Sequence, residues 1–533
     1  MEFRWLLIPG MCLCMVPATR GILHYFQLES YQFPGYFRTL RRNKIHAVLP
    51  GASVFAVQLL LSAIFAAPRS ADKIGLTNLF PVILYLTLSC GSGFLYSKVF
   101  SVQKAKKKFV YTGRIKRLIA VYTLVLALLG YLILKTTCFQ YYILCALLLP
   151  FVFALAGLLA WPIEKAISEC YFRDARRKLL SQTDLLRIGI TGSYGKTSVK
   201  MILAAMLNEK FPTLATPASF NTPMGVTRTI REKLLPSHRV FIAEMGARHV
   251  GDIKELCRLV KPQIGILTSV GPQHLETFHS IERIASTKYE LIEALPEDGC
   301  GYFADDGAIC RQLYDKTTIH KKICSLQDRD ADAYCDDISL SADGVSFCLH
   351  IKDKGSIKCQ TVLLGRLALM DILLAAMAAS DLGLSLKQIS HAIARLEPVS
   401  NRLQLMQTVS GYTIINDAFN ANPVGAEVAL EVLKQFPGRK IIITPGMVEL
   451  GTDEAKYNRI FGNQIAESAD IAIIVGKSRV DPILSGIREK GFPEENLFRV
   501  DSLNDSTILL NQIVQPTDVV LYENDLPDHY QES

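Results

Sequence analysis

Long apolar runs dominate the first third of the chain. Four stretches contain no Asp, Glu, Lys or Arg, at residues 45–68, 74–97, 118–134 and 136–163. Each supplies about 17 or more residues, which is the length that crosses a bilayer as a helix. A shorter run at residues 5–19 fits a further span, an interfacial helix or the core of a signal peptide. The pattern predicts an α-helical membrane domain over residues 1–165 with four or five transmembrane helices.

The pattern changes near residue 186, where short apolar segments begin to alternate with amphipathic ones. Helical periodicity at residues 369–382 and 386–396 follows a more polar, β-like region at 323–364. This alternation is typical of an α/β fold with a largely parallel sheet. A linker-like stretch at 397–401 predicts two α/β domains, over residues 186–398 and 399–533. The expected strands are residues 186–190, 240–243, 264–268, 413–415, 440–443, 471–475 and 518–522.

Positive charge flanks the apolar runs unevenly. Lys and Arg collect at residues 20–44 and 98–117, and again in a basic juxtamembrane linker at 166–185, whereas the connections at 69–73 and around Lys135 are short and poor in charge. Because such residues accumulate in cytoplasmic loops, we expect both basic loops and the following domains to face the cytoplasm. The net charge of +8 comes mostly from these runs. It suits anionic membrane lipids better than nucleic acid.

The segment from Arg187 to Lys200 reads as a strand, a glycine turn and a helix, in the manner of a phosphate-binding loop. Gly192 and Gly195 would let backbone N–H groups close on phosphate oxygens, with Ser193 and Ser198 beside them. Lys196 would reach the β- and γ-phosphates of ATP, and Thr197 would offer a hydroxyl to Mg²⁺. The loop is one glycine short of the commonest spacing.

Polar residues just after other predicted strands form a second set of candidates. Glu244 follows one strand and could hold Mg²⁺ opposite Thr197, and His274 could be a second metal ligand. Lys288 lies on the next helix, and Asp417 ends a later strand. Any one of them alone is more often a helix cap, a surface charge or a satisfied core histidine. Their order after a phosphate loop favours one shared site.

Cysteine usage points to a reducing compartment. The chain has thirteen cysteines, with no CxxC pair and no Cys/His spacing typical of a metal site. We therefore expect reduced, mostly buried thiols and no structural zinc.

The same segments carry a family resemblance. The motifs Thr-Gly-Ser-Tyr-Gly-Lys-Thr, Glu-Met-Gly-Ala at 244–247, Ser-Val-Gly-Pro-Gln-His-Leu-Glu at 269–276, Lys-Tyr-Glu at 288–290, Asn-Asp-Ala-Phe-Asn-Ala-Asn-Pro at 416–423 and Gly-Met-Val-Glu-Leu-Gly at 446–451 resemble the Mur ligases. Among these, the D-alanyl-D-alanine-adding, MurF-type branch is the most similar. The resemblance covers about two thirds of the chain. It implies a central P-loop ATPase-like domain and a C-terminal Rossmann-like domain that brings the amine substrate.

The resemblance also implies roles for individual residues. Lys196 and Thr197 would bind phosphate and a first Mg²⁺ that Glu244 shares, and His274 would help to bind a second ion. Lys288 matches a lysine that becomes carbamylated and then acts as a metal ligand. Asn221, Thr222 and Asn420 match substrate-contacting residues. Arg402 and Asp417 match interdomain residues that close on the nucleotide.

Two departures from the family pattern limit the resemblance. Membrane helices stand where the family has a soluble domain for the uridine nucleotide, so a lipid-linked acyl substrate becomes an alternative to a UDP-linked one. Leu367, Ala368 and Asp371 replace a His-Asn pair and a later Asn that help to hold the nucleoside, and Phe303 stands where an asparagine is common. The phosphate end of the expected site is intact, and the adenine end is altered.

The leading hypothesis is therefore a membrane-anchored, ATP- and Mg²⁺-dependent amide ligase of bacterial cell-wall assembly. Its partners would be a muramoyl-peptide precursor, an amino acid or dipeptide amine, and membrane lipids. A second hypothesis is an inactive ligase-like scaffold that binds nucleotide. A third, an ATP-driven transporter, is disfavoured because the spans carry almost no charge to mark a substrate path.

Overall fold

The structure is a computed structural model that describes residues 3–29, 31–66, 79–100, 108–136, 139–419 and 421–525. The described chain divides into two compact units, one ending at Glu169 and one beginning at Cys170. The predicted connection at 69–73 and the lysines at 104, 106 and 107 lie outside the described residues.

The first unit is helical. Four helical segments are long and apolar enough to cross a membrane by length and composition: Lys44–Phe65, Phe80–Val99, Gly113–Thr136 and Phe139–Leu180. A bent pair, Arg4–Ala18 and Arg20–Leu28 with a 46° angle, makes five if it counts as one span. The helices are α1 (Phe3–Ala18), α2 (Arg20–Leu28), α3 (Phe33–Arg42), α4 (Lys44–Ala66), α5 (Leu79–Val99), α6 (Gly113–Thr136), α7 (Phe139–Leu144) and α8 (Leu149–Leu180).

Close helix packing in this unit depends on small residues and on a buried polar cluster. A Cβ atom on Gly93 of α5 would lie 2.5 Å from the carbonyl oxygen of Leu13, so glycine lets α1 and α5 approach. Between α4 and α5, the Tyr85 hydroxyl donates to Gln58 Oε1 at 2.8 Å, and Gln58 Nε2 donates to Ser89 Oγ at 3.2 Å. These polar groups satisfy one another inside an apolar bundle.

Helix α8 runs through most of the segment expected to be a linker. Its last turns carry Phe172, Ala175 and Leu179, which are buried in a core of the second unit together with Val226 and Ile230. Residues 170–180 are therefore part of the folded α/β unit, although their basic side chains gave the segment a linker-like sequence.

The first sheet of the second unit has nine strands in the order β2-β3-β1-β4-β5-β6-β7-β8-β9. Pairings from β2 to β7 are parallel, and β7, β8 and β9 form an antiparallel extension. The strands are β1 (Leu186–Thr191), β2 (Thr213–Ala215), β3 (Val240–Glu244), β4 (Ile264–Leu267), β5 (Cys300–Ala304), β6 (His320–Ser325), β7 (Ala333–Ser341), β8 (Gly344–Ile351) and β9 (Gly355–Thr361). The helices are α9 (Lys196–Asn208), α10 (Pro223–Lys233), α11 (Asp252–Val260), α12 (Leu275–Phe278), α13 (Ile281–Glu293), α14 (Ile309–Lys316), α15 (Gly365–Asp381) and α16 (Leu386–Ala394).

A second sheet of six strands follows, in the order β10-β11-β15-β12-β13-β14. Only the β10–β11 pairing is antiparallel. The strands are β10 (Gln404–Gln407), β11 (Thr413–Asp417), β12 (Lys440–Thr444), β13 (Ile471–Val475), β14 (Leu497–Val500) and β15 (Val519–Glu523). The helices are α17 (Pro423–Gln435), α18 (Glu454–Ala466), α19 (Asp481–Glu489) and α20 (Leu503–Ile513).

The α/β expectation is confirmed, and all seven expected strands are present within about a residue or two at their ends. Sequence reasoning did not find β2, β5, β10 and β14, of which β2, β10 and β14 have only three or four residues. In the first sheet, β1 lies between β3 and β4, so the chain order reverses there. The carboxyl ends of these three strands are where ligands bind in open α/β sheets.

Candidate active site

The glycine turn after β1 has the backbone shape of an anion-binding loop. Gly192 and Gly195 have φ angles of 154° and 80°, which other residues rarely adopt. A Cβ atom on Gly192 would also lie 2.0 Å from the Thr268 hydroxyl oxygen. Gly195 caps α9, whose first N–H groups form the positive end of a helix dipole.

The loop is fixed against the segment that follows β4. The N–H groups of Ser193 and Tyr194 donate at 2.8 Å to the carbonyl and hydroxyl oxygens of Ser269. The Ser193 hydroxyl donates to the Gly271 carbonyl at 3.0 Å and accepts from the Gly271 N–H at the same distance. Ser193 therefore shapes the loop with its side chain.

Lys196 lies over the loop that precedes it. Its ammonium donates to the carbonyl oxygens of Gly192 and Ser193 at 2.6 and 2.7 Å. Burial lowers the pKa of Lys196 to about 8, the charge of Glu244 opposes that shift, and Arg402 adds to it. A cation is thus held where a polyphosphate would bring negative charge.

Glu244 lies at the end of β3 and contacts side chains from α9 and from the segment of Asn221. We call this group the Glu244 cluster; it comprises Glu244, Thr197, Lys200 and Asn221. The Thr197 hydroxyl and the Lys200 ammonium donate to Oε2 at 3.1 and 2.9 Å, and Asn221 Nδ2 donates to Oε1 at 3.0 Å. Burial alone would raise the pKa of Glu244, but the charges of Lys200 and Lys196 and these hydrogen bonds lower it. The Glu244 side chain is therefore a buried carboxylate whose oxygens are hard ligand atoms.

Lys200 is a residue that sequence reasoning missed. Its side chain is fully buried, and its ammonium also donates to the carbonyl of Ala218. The available signal was its spacing, because Lys200 lies one helical turn after Lys196 and on the same face of α9. Lys200 ties the segment at 216–222 to Glu244.

The expected substrate residues lie on that segment. The carbonyl of Asn221 accepts from the Gly246 N–H at 2.8 Å, which fixes it beside β3. Thr222 caps α10, since its hydroxyl accepts from the Gly225 N–H at 3.3 Å. Asn420, the third expected substrate residue, lies outside the described residues.

His274 contacts a residue from the segment that follows β12 of the second sheet. Its Nδ1 atom makes a hydrogen bond with Glu449 Oε2, and Arg248 lies 3.5 Å from the other oxygen of that carboxylate. Burial lowers the pKa of His274, although the contact with Glu449 works against the shift. Glu449 fixes the ring and leaves Nε2 as the remaining ligand atom of His274.

Lys288 lies on α13 and is nearly completely buried. Burial lowers its pKa well below the usual range, and the charge of Lys196 lowers it further. Both effects favour the neutral amine over the charged ammonium. A neutral buried amine is the form that reacts with carbon dioxide.

A cavity of about 450 Å³ opens beside the phosphate loop. Tyr194, Gly195 and Ser198 line it from the loop side, with Leu367 and Ala368 at the start of α15. Arg402 enters from the stretch after α16, and its guanidinium lies 5.0 Å from the Phe419 ring centre. Phe303 is fully buried beside Tyr314, with ring centres 5.6 Å apart, and does not line the cavity.

Asp417 and Glu523 form a pair of carboxyl groups in the cavity wall. They are direct neighbours at the ends of β11 and β15. Glu523 is fully buried, and among the described residues no group other than the Asp417 carboxyl makes a hydrogen bond with its oxygens. Burial and the neighbouring Asp417 raise the pKa of Glu523, and burial raises the pKa of Asp417 to about 6. Two such groups share a proton more readily than they both ionise.

One cluster of metal-ligand types lies elsewhere, on the β7–β8 hairpin. Asp336, Cys348 and His350 bring one ligand atom each within 4.8 Å of one another, a grouping that the sequence spacing did not indicate. His350 Nε2 makes a hydrogen bond of 2.8 Å with Asp336, and its ring stacks on Tyr334 at 4.4 Å. These contacts account for the cluster within the hairpin.

The site therefore combines a phosphate loop, a carboxylate–hydroxyl pair suited to a hard cation, and an adjoining cavity lined by acidic groups. The structure brings together Lys196, Thr197, Glu244 and Asn221 through direct contacts or charge. His274 and Lys288 lie near enough to interact electrostatically with each other.

Two protein-family models match the α/β part of the chain, one over each sheet. Residues 190–379 match the model of the Mur ligase middle domain, and residues 401–522 match that of the Mur ligase, glutamate ligase domain. The chain is 31% identical over 288 residues to the UDP-N-acetylmuramoyl-tripeptide–D-alanyl-D-alanine ligase of Buchnera aphidicola, covering 54% of this chain and 62% of the relative. It is 30% identical over 363 residues to the enzyme of that name from Mycobacterium leprae, covering 63% and 70%.

A solved structure shares the fold. The MurF ligase of Thermotoga maritima, solved in complex with ADP, superposes with a TM-score of 0.60 at 23% identity, over 67% of this chain and 80% of that one. The chain spans less than two thirds of the length of several relatives that it matches, including the Buchnera enzyme.

Proposed function

The chain belongs to the Mur ligase family, and we propose that it is an ATP-dependent amide ligase of peptidoglycan assembly that adds D-alanyl-D-alanine or a similar amine. The Glu244 cluster carries the proposal, because it links the phosphate loop to the segment of Asn221 through a buried carboxylate. The names of the relatives support the substrate class.

The proposed reaction has two steps. A carboxylate oxygen of the acyl substrate attacks the γ-phosphorus of ATP, the bond to the β,γ-bridging oxygen breaks, and ADP leaves. The amine then attacks the acyl carbon of the acyl phosphate, phosphate leaves, and the nitrogen loses a proton. Lys196 would offset the charge that gathers on the β- and γ-phosphates. Arg402 and Asp417 would close on the nucleotide from the second sheet and exclude water from the reactive anhydride.

The donor set fits Mg²⁺. Thr197 and Glu244 place a hydroxyl and a carboxylate oxygen 3.1 Å apart, and hard oxygen ligands are those that Mg²⁺ prefers. Bound Mg²⁺ would neutralise phosphate charge and polarise the γ-phosphoryl group. His274 would offer Nε2 to a second ion, with its ring held by Glu449.

Lys288 would complete the second site as a carbamate. The neutral amine adds to the carbon of carbon dioxide, a proton leaves the nitrogen, and a carboxylate-like group results. The depressed pKa of Lys288 supports this chemistry, because the free amine is available. A carbamate would also place a negative charge where burial and the charge of Lys196 disfavour a positive one.

The helical unit supports a membrane location. Four helical segments have the length and apolar composition of spans, and basic residues flank them. We place the chain in the bacterial cell membrane as a multi-pass protein with its ligase domains in the cytoplasm. The acyl substrate would then be captured near the bilayer, either lipid-linked or as the UDP-linked precursor delivered there.

A second candidate is a ligase-like scaffold without turnover. The observation in its favour is the altered cavity wall, where Leu367, Ala368 and Asp371 stand. The hydrogen bond between Thr197 and Glu244 and the nearby charge of Lys196 favour catalysis, since a scaffold has no need of a carboxylate placed to bind a metal ion.

Membranes that contain the full chain should test these alternatives. They would be incubated with ATP, Mg²⁺, D-alanyl-D-alanine and either UDP-linked or lipid-linked muramoyl tripeptide, and the products would be identified by mass spectrometry. The ligase proposal expects a pentapeptide product and ADP, both absent with Lys196→Ala. Nucleotide binding without product from either precursor or another amine would favour the scaffold.

The role of the membrane unit needs a truncated chain that keeps the α/β core. A start at Ser181 would remove Phe172 and Leu179 from that core, whereas a start at Cys170 retains both. The chain from Cys170 should remain soluble and bind nucleotide, and it should lose most activity on the natural precursor. Equal efficiency with UDP-linked tripeptide in the truncated and full chains would make the helices an anchor only.

A further inference from the structure

Asp371 is a buried carboxyl group in the cavity wall that the proposed chemistry leaves unused. It lies on α15 and is 8% exposed. Its Oδ1 atom lies so close to the phosphate loop that a Cβ atom on Gly195 would be 2.5 Å away. Ser198, on the first turn of α9, is close enough to lower the pKa of Asp371 through hydrogen bonding. Asp371 thus stands directly behind the loop that would hold a polyphosphate.

The surroundings of Asp371 provide little positive charge. Burial raises the pKa of Asp371 to about 8, and Arg402 and the Ser198 hydrogen bond oppose that shift only in part. Arg366, at the start of α15, is committed to ion pairs with Glu427 and Glu431 at 3.3 and 3.0 Å. Titratable groups that face Asp371 or the same cavity from other elements are Tyr194, Asp305, Asp306, Cys324, Glu397, Arg402, Asp417, Glu427 and Glu523.

A nucleotide in this place would bring several negative charges next to Asp371. An ionised carboxylate would repel them across a dry contact, whereas a neutral carboxyl would not. The neutral group has one donor and one acceptor, so it can accept from Ser198 and still donate to a ligand. In this respect a neutral Asp371 resembles an asparagine in size and in hydrogen-bonding capacity.

We propose that nucleotide binds in this cavity with Asp371 as a neutral carboxyl, so that binding above neutral pH is accompanied by proton uptake at Asp371. The proton comes from solvent and goes to a carboxylate oxygen, and no bond to the nucleotide forms. This inference rests on the proposed nucleotide-dependent function and adds a residue and a proton to it. Nucleotide affinity and pH are then linked through a single side chain.

The test is isothermal titration calorimetry of the full chain in detergent with a non-hydrolysable ATP analogue. Titration at pH 8.5 in two buffers of different ionisation enthalpy gives the number of protons taken up on binding. A carboxyl with a pKa of about 8 is about three-quarters ionised there, so wild type should take up about 0.8 proton more than Asp371→Asn. Lys196 contributes equally to both proteins and cancels in the difference.

Asp305→Asn is the matched control, because Asp305 lines the same cavity but is paired with Arg311 at 3.1 Å. It should take up as many protons as wild type. As a second measurement, the wild-type Kd should rise about tenfold or more between pH 7 and pH 9, with a smaller rise in Asp371→Asn.

The outcomes separate this inference from the proposed function. Equal proton uptake in wild type and Asp371→Asn would overturn the inference alone, as would a wild-type Kd that is flat between pH 7 and pH 9. Absence of nucleotide binding by wild type at every pH would overturn the proposed function, and the inference with it.

Discussion

The two ends of the candidate site treat charge in opposite ways. The phosphate end comprises Lys196, Thr197, Lys200 and Glu244. Each buried charged group there makes an ion pair or a hydrogen bond. The acidic cavity is lined by buried Asp371 and Glu523 and by partly buried Asp417, and these carboxyl groups have no matching number of cations among the lining residues.

This difference appears directly in the pKa values. Charges and hydrogen bonds lower the pKa of Glu244 despite its burial, whereas burial raises the pKa of Asp371 to about 8 and that of Asp417 to about 6. An end of the site that favours the ionised carboxylate therefore lies beside a cavity whose acidic groups favour their protonated forms. The same residue type, a buried acid, is a hydrogen-bonded carboxylate at one end and favours its neutral form at the other.

Lys196→Ala should have the largest effect, because it removes the cation that faces the phosphates. We expect ligase activity to fall at least about a thousandfold, with helical content unchanged by circular dichroism. The exposed Lys233 on α10 provides the control, and Lys233→Ala should retain normal rates. Undiminished turnover in Lys196→Ala would mean that the phosphate end is not the reactive centre.

Lys200→Met tests whether the phosphate end depends on charge pairing. The substitution leaves Glu244 buried without its ion-pair partner, so the unfolding free energy should drop by about 3–5 kcal/mol. Adding Glu244→Gln to Lys200→Met should recover part of that loss, which denaturant unfolding of the chain from Cys170 would measure. A double variant as unstable as the sum of the singles would show that the two side chains do not interact.

Lys288→Ala distinguishes a metal-binding carbamate from a merely buried amine. If the carbamate holds an ion, kcat should fall about a hundredfold, and short carboxylates such as acetate should restore part of it. Bicarbonate should not restore activity, since the variant has no amine to modify. Wild-type rates for Lys288→Ala would show that the carbamate role is absent.

Asp417→Asn should raise the unfolding free energy, by less than Lys200→Met lowers it, because it removes a carboxyl group that is costly to ionise. The pKa of Asp417 is raised, so wild type gains stability from neutral Asp417 at low pH and loses it as pH rises through about 6. The variant should show a weaker pH dependence, and its unfolding free energy at pH 7.5 should exceed that of wild type by about 1–3 kcal/mol. Equal melting of both proteins from pH 4 to pH 7.5 would place Asp417 in an ordinary polar environment.

The same contrast explains what the sequence could predict. The phosphate end follows a local motif, in which Gly192, Gly195, Lys196 and Thr197 lie within six residues, and the α/β alternation fixes where β1 and β3 end. Even there, Lys200 was missed, since a lysine on an amphipathic helix is usually exposed.

The acidic cavity could not be predicted in this way, because Asp371, Asp417 and Glu523 come from three distant segments. Register between β11 and β15 makes Asp417 and Glu523 neighbours, and no local pattern gives that pairing. The contact between His274 and Glu449 likewise depends on how two sheets meet within the second unit. The extent of the folded unit back to Cys170 was hidden by the basic residues of α8.

The central claim is amide formation through an acyl phosphate at the phosphate end. The most direct measurement supplies acyl substrate with ¹⁸O in the carboxylate that becomes the amide, and then determines the isotope content of the released phosphate by mass spectrometry. Attack of that carboxylate on the γ-phosphorus predicts one ¹⁸O atom in phosphate for each amide formed. Unlabelled phosphate released alongside amide would contradict the acyl-phosphate account.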